Sequence, residues 1–489
     1  MKTDRYEDEI ARPFDPQWET VLLSLKEYLN ELAYSLQEQE IACSEIERTR
    51  RRNGDALLKY QDAVQAIALD LFRAHLSNPH LEVGIAAGRS SVQRMCAGRY
   101  GAPFLSARTF EAALRTMKGF GHILLTTEFW DDPTGQGSRV RRYRAAPKLL
   151  EGLCEAGASI VTVRRRKDAE GIILKKTKDR KTGKKVRVPY GNVAFANEAR
   201  DRLRIINHML QDHWADLALG DECVRQKLRE IAILRKKKAP AHPPDFMART
   251  VYRVFNNRDW EQGGRFNGAW WIGCPSPLRP YILIDGKRTV EVDYSGLHAA
   301  MLFAEAGKKI PPDPYSRCLT HTGGAEERKL VKVTFNALLN AHRIEQLSEV
   351  DDYSEDLTGR DWNAFKRFIV SSFPTIEHHF GSGVGLRLQR KDSDLAEAVM
   401  LRFAEMGYAC LPVHDSFIVH HGMQDVLTTT MKAVFKGMFG VANETDFDLG
   451  LGEAVEVTGR PIGADVEELL RPTGHEGRLQ AFLEMHKKV

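Results

Sequence analysis

The stretch YACLPVHDSFIVHH constrains the fold more than any other, because two short apolar runs flank His414-Asp415. Runs this short pair as strands, and a two-residue interruption leaves a tight hairpin as their connection. Asp415 then stands at the hairpin tip. A second strand end lies 122 residues earlier, in RTVEVDYSGLHAAMLFAEAG. Val290 and Val292 alternate as in a strand, Asp293 closes it, and Leu297, Ala300, Met301 and Ala304 start a helix. A lone carboxylate at such a junction is often an N-cap. Two aspartates at the exposed tips of adjacent strands are instead what a two-metal site needs. Divalent ions about 3.5–4 Å apart activate a 3′-hydroxyl and neutralise a leaving pyrophosphate.

Between the two lies EERKLVKVTFNALLNAHR. Arg328, Lys332, Asn336 and Asn340 recur every four residues, which puts two cations and two amides on one helical face. Such a stripe can grip a triphosphate, or it can be the solvated side of an amphipathic helix.

The N-terminal half has a different character. Trp18, Leu22, Leu25, Tyr28, Leu29 and Leu32 predict one helix, and Leu58, Val64, Ile67, Leu71 and Phe72 a second over 55–76. In SARTFEAALRTMKGFG, Ser106 is an N-cap, Phe110, Ala113, Leu114 and Met117 form an apolar face, and the glycines end the helix. HILLTTEFW and SRVRRYRAA then read as strands of a hairpin across DDPTGQG. Helix followed by hairpin is the outline of a winged helix. Arg108, Arg115 and Lys118 would then face a DNA groove, and Arg139, Arg141 and Arg142 would track phosphates from the wing.

Charge supports a polyanionic partner. The 49 residues 139–187 hold 17 Lys/Arg against 5 Asp/Glu, a local net of +12 inside a chain of only +5. A further hairpin is expected in this stretch, turning at Lys181-Thr182-Gly183. Helices follow over 194–217, with Trp214 and Leu217 on the apolar face, and over 224–234. RKKKAPAHPPD then marks the main domain boundary near 240.

With 489 residues, 43% apolar, the chain can bury several cores. No apolar run approaches the roughly eighteen residues of a spanning helix, and MKTDRYEDEI lacks a signal-peptide core, so a cytoplasmic protein without membrane contact is expected. Seven scattered cysteines without a C-x-x-C pair encode neither a disulfide framework nor a thiolate zinc site.

DYS at a strand–helix junction, R-x-x-x-K on a helix and VHD in a hairpin, in that order, resemble motifs A, B and C of the family A DNA polymerases and the related single-subunit RNA polymerases of phage and mitochondria. GGRFNGAWWIGCPSPLRPYILIDG is similar to the family's approach to motif A, and GLRLQRKDSDLAEAVMLRFAEMGY to the helix before motif C. The likeness spans roughly residues 250 to 440. It implies an α+β fold with a right-hand palm and fingers over 241–489. Before these come a thumb-like helical pair over 191–240, a winged-helix-like module over 53–190 and a helical element over 1–52. It also implies Asp293, Asp415 and the Tyr294 carbonyl as ligands of two Mg²⁺ or Mn²⁺ ions. Arg328 and Lys332 would bind the triphosphate, with Lys332 placed to protonate pyrophosphate. Arg265, Gln389 and His414 would lie along the primer–template.

The departures bear on substrate choice. His298 stands where the DNA polymerases carry a glutamate against the ribose 2′-hydroxyl, Asn340-Ala341 stands where a tyrosine–glycine pair ends the fingers motif, and Ser416 follows Asp415 as in the RNA polymerases. No exonuclease pattern is evident. The function expected is template-directed nucleotidyl transfer, with DNA and nucleoside triphosphates as partners, in a replicative or primer-making protein of a mobile element. The alternatives are a DNA-binding replication or regulatory protein with a degenerate palm, and an untemplated terminal transferase.

Overall fold

The structure is a computed structural model that describes residues 11–43, 49–86, 88–129, 140–178, 183, 185–234, 244–294, 296–319, 324–441 and 474–487. The chain is α+β.

The N-terminal part opens with two short strands, β1 (Ala11–Pro13) and β2 (Trp18–Thr20), before helices α1 (Leu23–Ala42) and α2 (Gly54–Ser77). Trp18 therefore lies in a strand, not in the expected helix. Prolines 13 and 16 break helical hydrogen bonding there, and β2 pairs instead with β6 (Val163–Arg165). Leu58, assigned to the apolar face of α2, is exposed, whereas Val64, Ile67, Leu71 and Phe72 are buried.

Strand β3 (Glu82–Ile85), helices α3 (Arg89–Cys96) and α4 (Ala107–Gly119), and strands β4 (Ile123–Thr127) and β5 (Arg141–Ala145) follow. Ser106 caps α4 by accepting from the Thr109 N–H, and Phe110, Ala113, Leu114 and Met117 bury its inner face on α2. The sheet order is β1-β3-β5-β4, with β4 and β5 antiparallel. The turn between them, including Arg139, lies outside the described residues. Helix α5 (Pro147–Glu155) completes this part.

Buried apolar side chains form two clusters, one drawn mostly from residues 18–163 and the other from 161–482. The helices α6 (Ala194–Asp212) and α7 (Asp221–Leu234) belong to the second, as do Val161, Ile172 and Leu174, which the sequence grouped with 53–190. Trp214 and Leu217 are not helical. Residues Ala215–Leu217 form β8, antiparallel to β11 (Ile282–Ile284). β7 (Ile172–Leu174) runs parallel to β9 (Tyr252–Asn256), which pairs with β10 (Asp259–Asn267). The expected hairpin survives as the Lys175–Arg187 bridge, its turn residues Lys181 and Thr182 lying outside the described residues, as does most of the proline-rich stretch near 240.

The central sheet has the order β13-β14-β12-β11-β8, from β12 (Lys287–Asp293), β13 (Leu411–Val413) and β14 (Ser416–His420). Behind it pack α8 (Leu297–Glu305), apolar nearly all round and accordingly buried, then α12 (Gly385–Glu405) and α13 (Gln424–Phe439). Helix α9 (Ala325–Asn340) flanks them, with α10 (Glu355–Thr358) and α11 (Trp362–Ser371) beyond. The last helix, α14 (Gly474–Lys487), docks on the sheet edge through Arg478, which donates to both oxygens of the buried Asp216 at 2.7 Å.

Candidate active site

Strand pairing brings the two aspartates together. β12 and β14 are antiparallel with Asp293 opposite Ser416, so Asp415 precedes the residue facing Asp293. His414 occupies the hairpin turn at φ +60°, a conformation that favours glycine and is held here by strands on both sides. The next residue after Asp293, Tyr294, is buried, and its hydroxyl donates to the Met431 carbonyl of α13 at 2.9 Å. That anchor holds the strand end where the Tyr294 carbonyl would be a ligand.

Burial drives the Asp293 carboxyl above its ordinary range, Asp415 adds to this, and Lys332 opposes it. Asp293 Oδ1 is buried with no hydrogen-bond donor. An unsatisfied buried carboxylate oxygen facing a second carboxylate is costly, and a divalent cation relieves both costs. The residues present therefore fit a metal ion. Among the described residues, no group of three or more His, Cys, Asp or Glu side chains could hold a metal by itself. Any ion here would rely on Asp293, Asp415, backbone carbonyl and groups from substrate.

Asp415 lines a cleft of about 260 Å³ together with seven polar or charged residues from five other parts of the chain. Lys332, Asn336 and Asn340 come from α9, His298 from α8, Gln389 from α12, Arg265 from β10 and Tyr315 from the loop before α9. The Asn336 amide N–H donates to the Lys332 carbonyl at 3.0 Å and that of Asn340 to the Asn336 carbonyl at 2.7 Å. Each amide is thereby oriented by its own helix. The side-chain Oδ1 of Asn336 is left facing His298 Nδ1 at 3.3 Å. Burial and the Arg265 charge push the His298 imidazole down to about 4. It is neutral near pH 7, donates through Nδ1–H, and keeps Nε2 as an acceptor.

Arg265 reaches the cleft because of a backbone device. Gly263 and Gly264 have φ of +83° and +81°, and the β9–β10 register shifts on both sides of Gly263. The bulge re-aims the following residue. A side chain at Gly264 would come within 2.7 Å of Ser393 Oγ on α12.

Not every expected residue is in the cleft. Arg328 gives two hydrogen bonds to Asp313, at 2.8 and 3.2 Å, and does not line it. The glycine at 296, with φ +60°, starts α8 under Pro314. In the N-terminal part, Arg108 is exposed on α4, Arg141 and Arg142 meet Glu128 and Glu82 at 3.4 and 3.3 Å, and Arg115 pairs at 2.7 Å with the buried Glu40.

Sequence reasoning missed Asp392, a buried carboxylate on α12 that holds Arg265, and Glu291, which accepts from Ser416 Oγ at 2.5 Å and pairs with Arg279. Alternation in TVEVD signals that Glu291 shares a strand face with Asp293. No local signal marks Asp392. No protein-family model matches this chain, and no curated protein matches its sequence.

Proposed function

We propose that this chain is a template-directed nucleotidyltransferase with a family A-like palm and fingers. The observation that carries the reading is the meeting of Asp293 and Asp415 at adjoining strand ends beside a cleft that also holds Lys332, Asn336, Asn340, His298, Gln389 and Arg265. These residues come from segments as far apart as 265 and 415; the polymerase resemblance offers a role for Asp293, Asp415, Lys332, Arg265 and Gln389 together, while His298 and Asn340 depart from its pattern. Asp293, Asp415 and the Tyr294 carbonyl would hold two divalent ions, whose charge would serve to activate a hydroxyl and stabilise a leaving pyrophosphate. Lys332 neutralises phosphate charge and is the group positioned to hand a proton to pyrophosphate. His298 and the oriented amides of α9 present uncharged hydrogen-bonding groups to the nucleotide, while Arg265, Gln389 and His414 lie where a primer–template would pass. No described helix is long and apolar enough to cross a membrane.

One observation favours the scaffold alternative. Arg328, expected on the triphosphate, is occupied by Asp313, so activity requires that partly exposed pair to open. Exposed pairs contribute little, and a triphosphate competes well for an arginine.

In the N-terminal part, the order α2, β3, α3, α4, β4, β5 with paired β3, β5 and β4 supports a winged-helix reading. We assign this module to duplex binding. Changing Arg108, Arg141 and Arg142 together to alanine is expected to reduce the salt slope of duplex binding by up to about 3, roughly one per lost phosphate contact. Equal slopes for wild type and variant in anisotropy titrations would make the wing a structural element only.

The function itself is tested by offering primed and unprimed templates, Mg²⁺ or Mn²⁺, and labelled NTPs or dNTPs separately. Template-directed extension is expected; no incorporation under any combination overturns the proposal. For sugar choice, His298→Glu introduces a charge and bulk against the 2′-hydroxyl, and kcat/KM for NTPs relative to dNTPs is expected to fall by about tenfold or more. An unchanged ratio removes His298 from sugar selection.

A further inference from the structure

Arg265 is the cation of the cleft with most freedom to do harm. It lines the same cavity as Asp415, and its charge reaches the neighbouring His298. A guanidinium that shares a small cleft with a carboxylate is drawn to it unless something holds it elsewhere, because attraction between unit charges is strong away from bulk water. Asp392 does the holding. Its Oδ2 accepts from Arg265 Nε at 3.0 Å and lies 2.8 Å from the terminal nitrogen, so both donors converge on one oxygen. The carboxylate is 2% exposed, rooted on α12 and approached by β10 at the glycine bulge, whereas the Arg265 side chain is 31% exposed. The anchor is the rigid partner and the arginine the movable one. Asp415 lies within electrostatic reach of Asp392 and lines the same cleft as Arg265, so it is the other carboxylate open to that guanidinium.

We propose that Asp392 is a positioning residue that parks Arg265 against α12, away from Asp415, and so keeps Asp415 available for a divalent cation. The inference rests on the two-metal reading of Asp293 and Asp415. It adds a device outside the expected motifs: an acid 127 residues from its arginine, brought to it by the packing of α12 on β10.

The test is Mn²⁺ binding to the full chain without nucleic acid, followed by calorimetry or by the spin-resonance signal of free Mn²⁺. Asp392→Asn keeps the volume but loses the charge, and Arg265 turns to Asp415. Mn²⁺ affinity is expected to fall by about tenfold or more. In the double variant Asp392→Asn/Arg265→Gln the intruding cation is gone, and affinity is expected to return to within about threefold of wild type. A structural defect from Asp392→Asn would not be repaired by losing a second residue. Arg265→Gln alone is expected to leave Mn²⁺ affinity within about twofold, and it reads the same question if Asp392→Asn does not fold. A severalfold gain there means that Arg265 already occupies Asp415.

Asp293→Asn separates the two ideas. If it weakens Mn²⁺ binding while Asp392→Asn does not, or while the double variant stays weak, the positioning role is overturned and the metal reading stands. If wild type binds no Mn²⁺ and Asp293→Asn changes nothing, the metal reading falls and the positioning role falls with it.

Discussion

If the proposed activity holds, Asp293→Asn and Asp415→Asn are each expected to lower templated incorporation by at least about a thousandfold, or ~4 kcal/mol of transition-state stabilisation. Each change removes one of the two carboxylates proposed as cation ligands, which strand pairing sets at neighbouring positions. Stability should move the other way for Asp293. Its carboxyl is buried, faces Asp415 and has one oxygen without a donor, so its ionised form is the costly one. The folded-state pKa is raised above the unfolded value, so its contribution to stability is fully present below about pH 4 and is lost as pH rises through the folded pKa. Without added metal, Asp293→Asn is therefore expected to be more stable than wild type at pH 8 by roughly 1–3 kcal/mol, the difference closing near pH 4. Urea melts at the two pH values measure this. A variant that incorporates nucleotide at the wild-type rate ends the catalytic assignment, and one that is less stable at pH 8 ends the account of the buried pair.

Arg253→Ala is expected to produce the largest loss of stability. The Arg253 side chain is completely buried between β9 and α12. It donates to the Gly264 carbonyl at 2.9 Å and Ser393 Oγ at 2.7 Å, and pairs with Asp394 and Glu397 at 2.9 Å each. Glu397 also takes Arg202 of α6 at 2.8 Å, so one buried network ties α6, β9 and α12 together. Removing one member of a buried charge network costs about 3–5 kcal/mol, because the partners stay buried without their counter-charge. The companion Arg253→Met/Glu397→Met should recover part of that loss, since an apolar pair demands no solvation. Chemical denaturation of the three proteins decides it. A loss below about 1 kcal/mol for Arg253→Ala would mean that water or rearrangement satisfies the network.

Legibility from sequence followed the range of the forces involved. The strand ending at Asp293, helices α8 and α9 and the hairpin carrying Asp415 coincide with their spacing signals, because burial of one face imposes a period of 2 or 3.6 on neighbouring residues, and α12 coincides with the helix that the family resemblance implied. Trp18 and Trp214 went astray for the same reason in reverse. Each continues a helical apolar pattern, yet each lies outside a helix in the fold, where strand partners 140 or more residues away in one case and about 65 away in the other override local preference. Arg328 was placed correctly on its helix face, but nothing local foretold that Asp313 would take its guanidinium.

The chain's order of residues by itself determined most of the helices, the strand that ends at Asp293, the hairpin that carries Asp415 in its turn, and the recurrence of cations and amides on one helix face. Those are short-range consequences of side-chain size, polarity and spacing. Only the tertiary structure decided that β12 lies against β14, that six separate segments share one cleft, that Asp392 takes Arg265 and that Arg253 is sealed inside an ionic network. Such pairings are chosen by which surfaces bury one another best, and a contact across 127 residues leaves no periodic trace in either partner's neighbourhood.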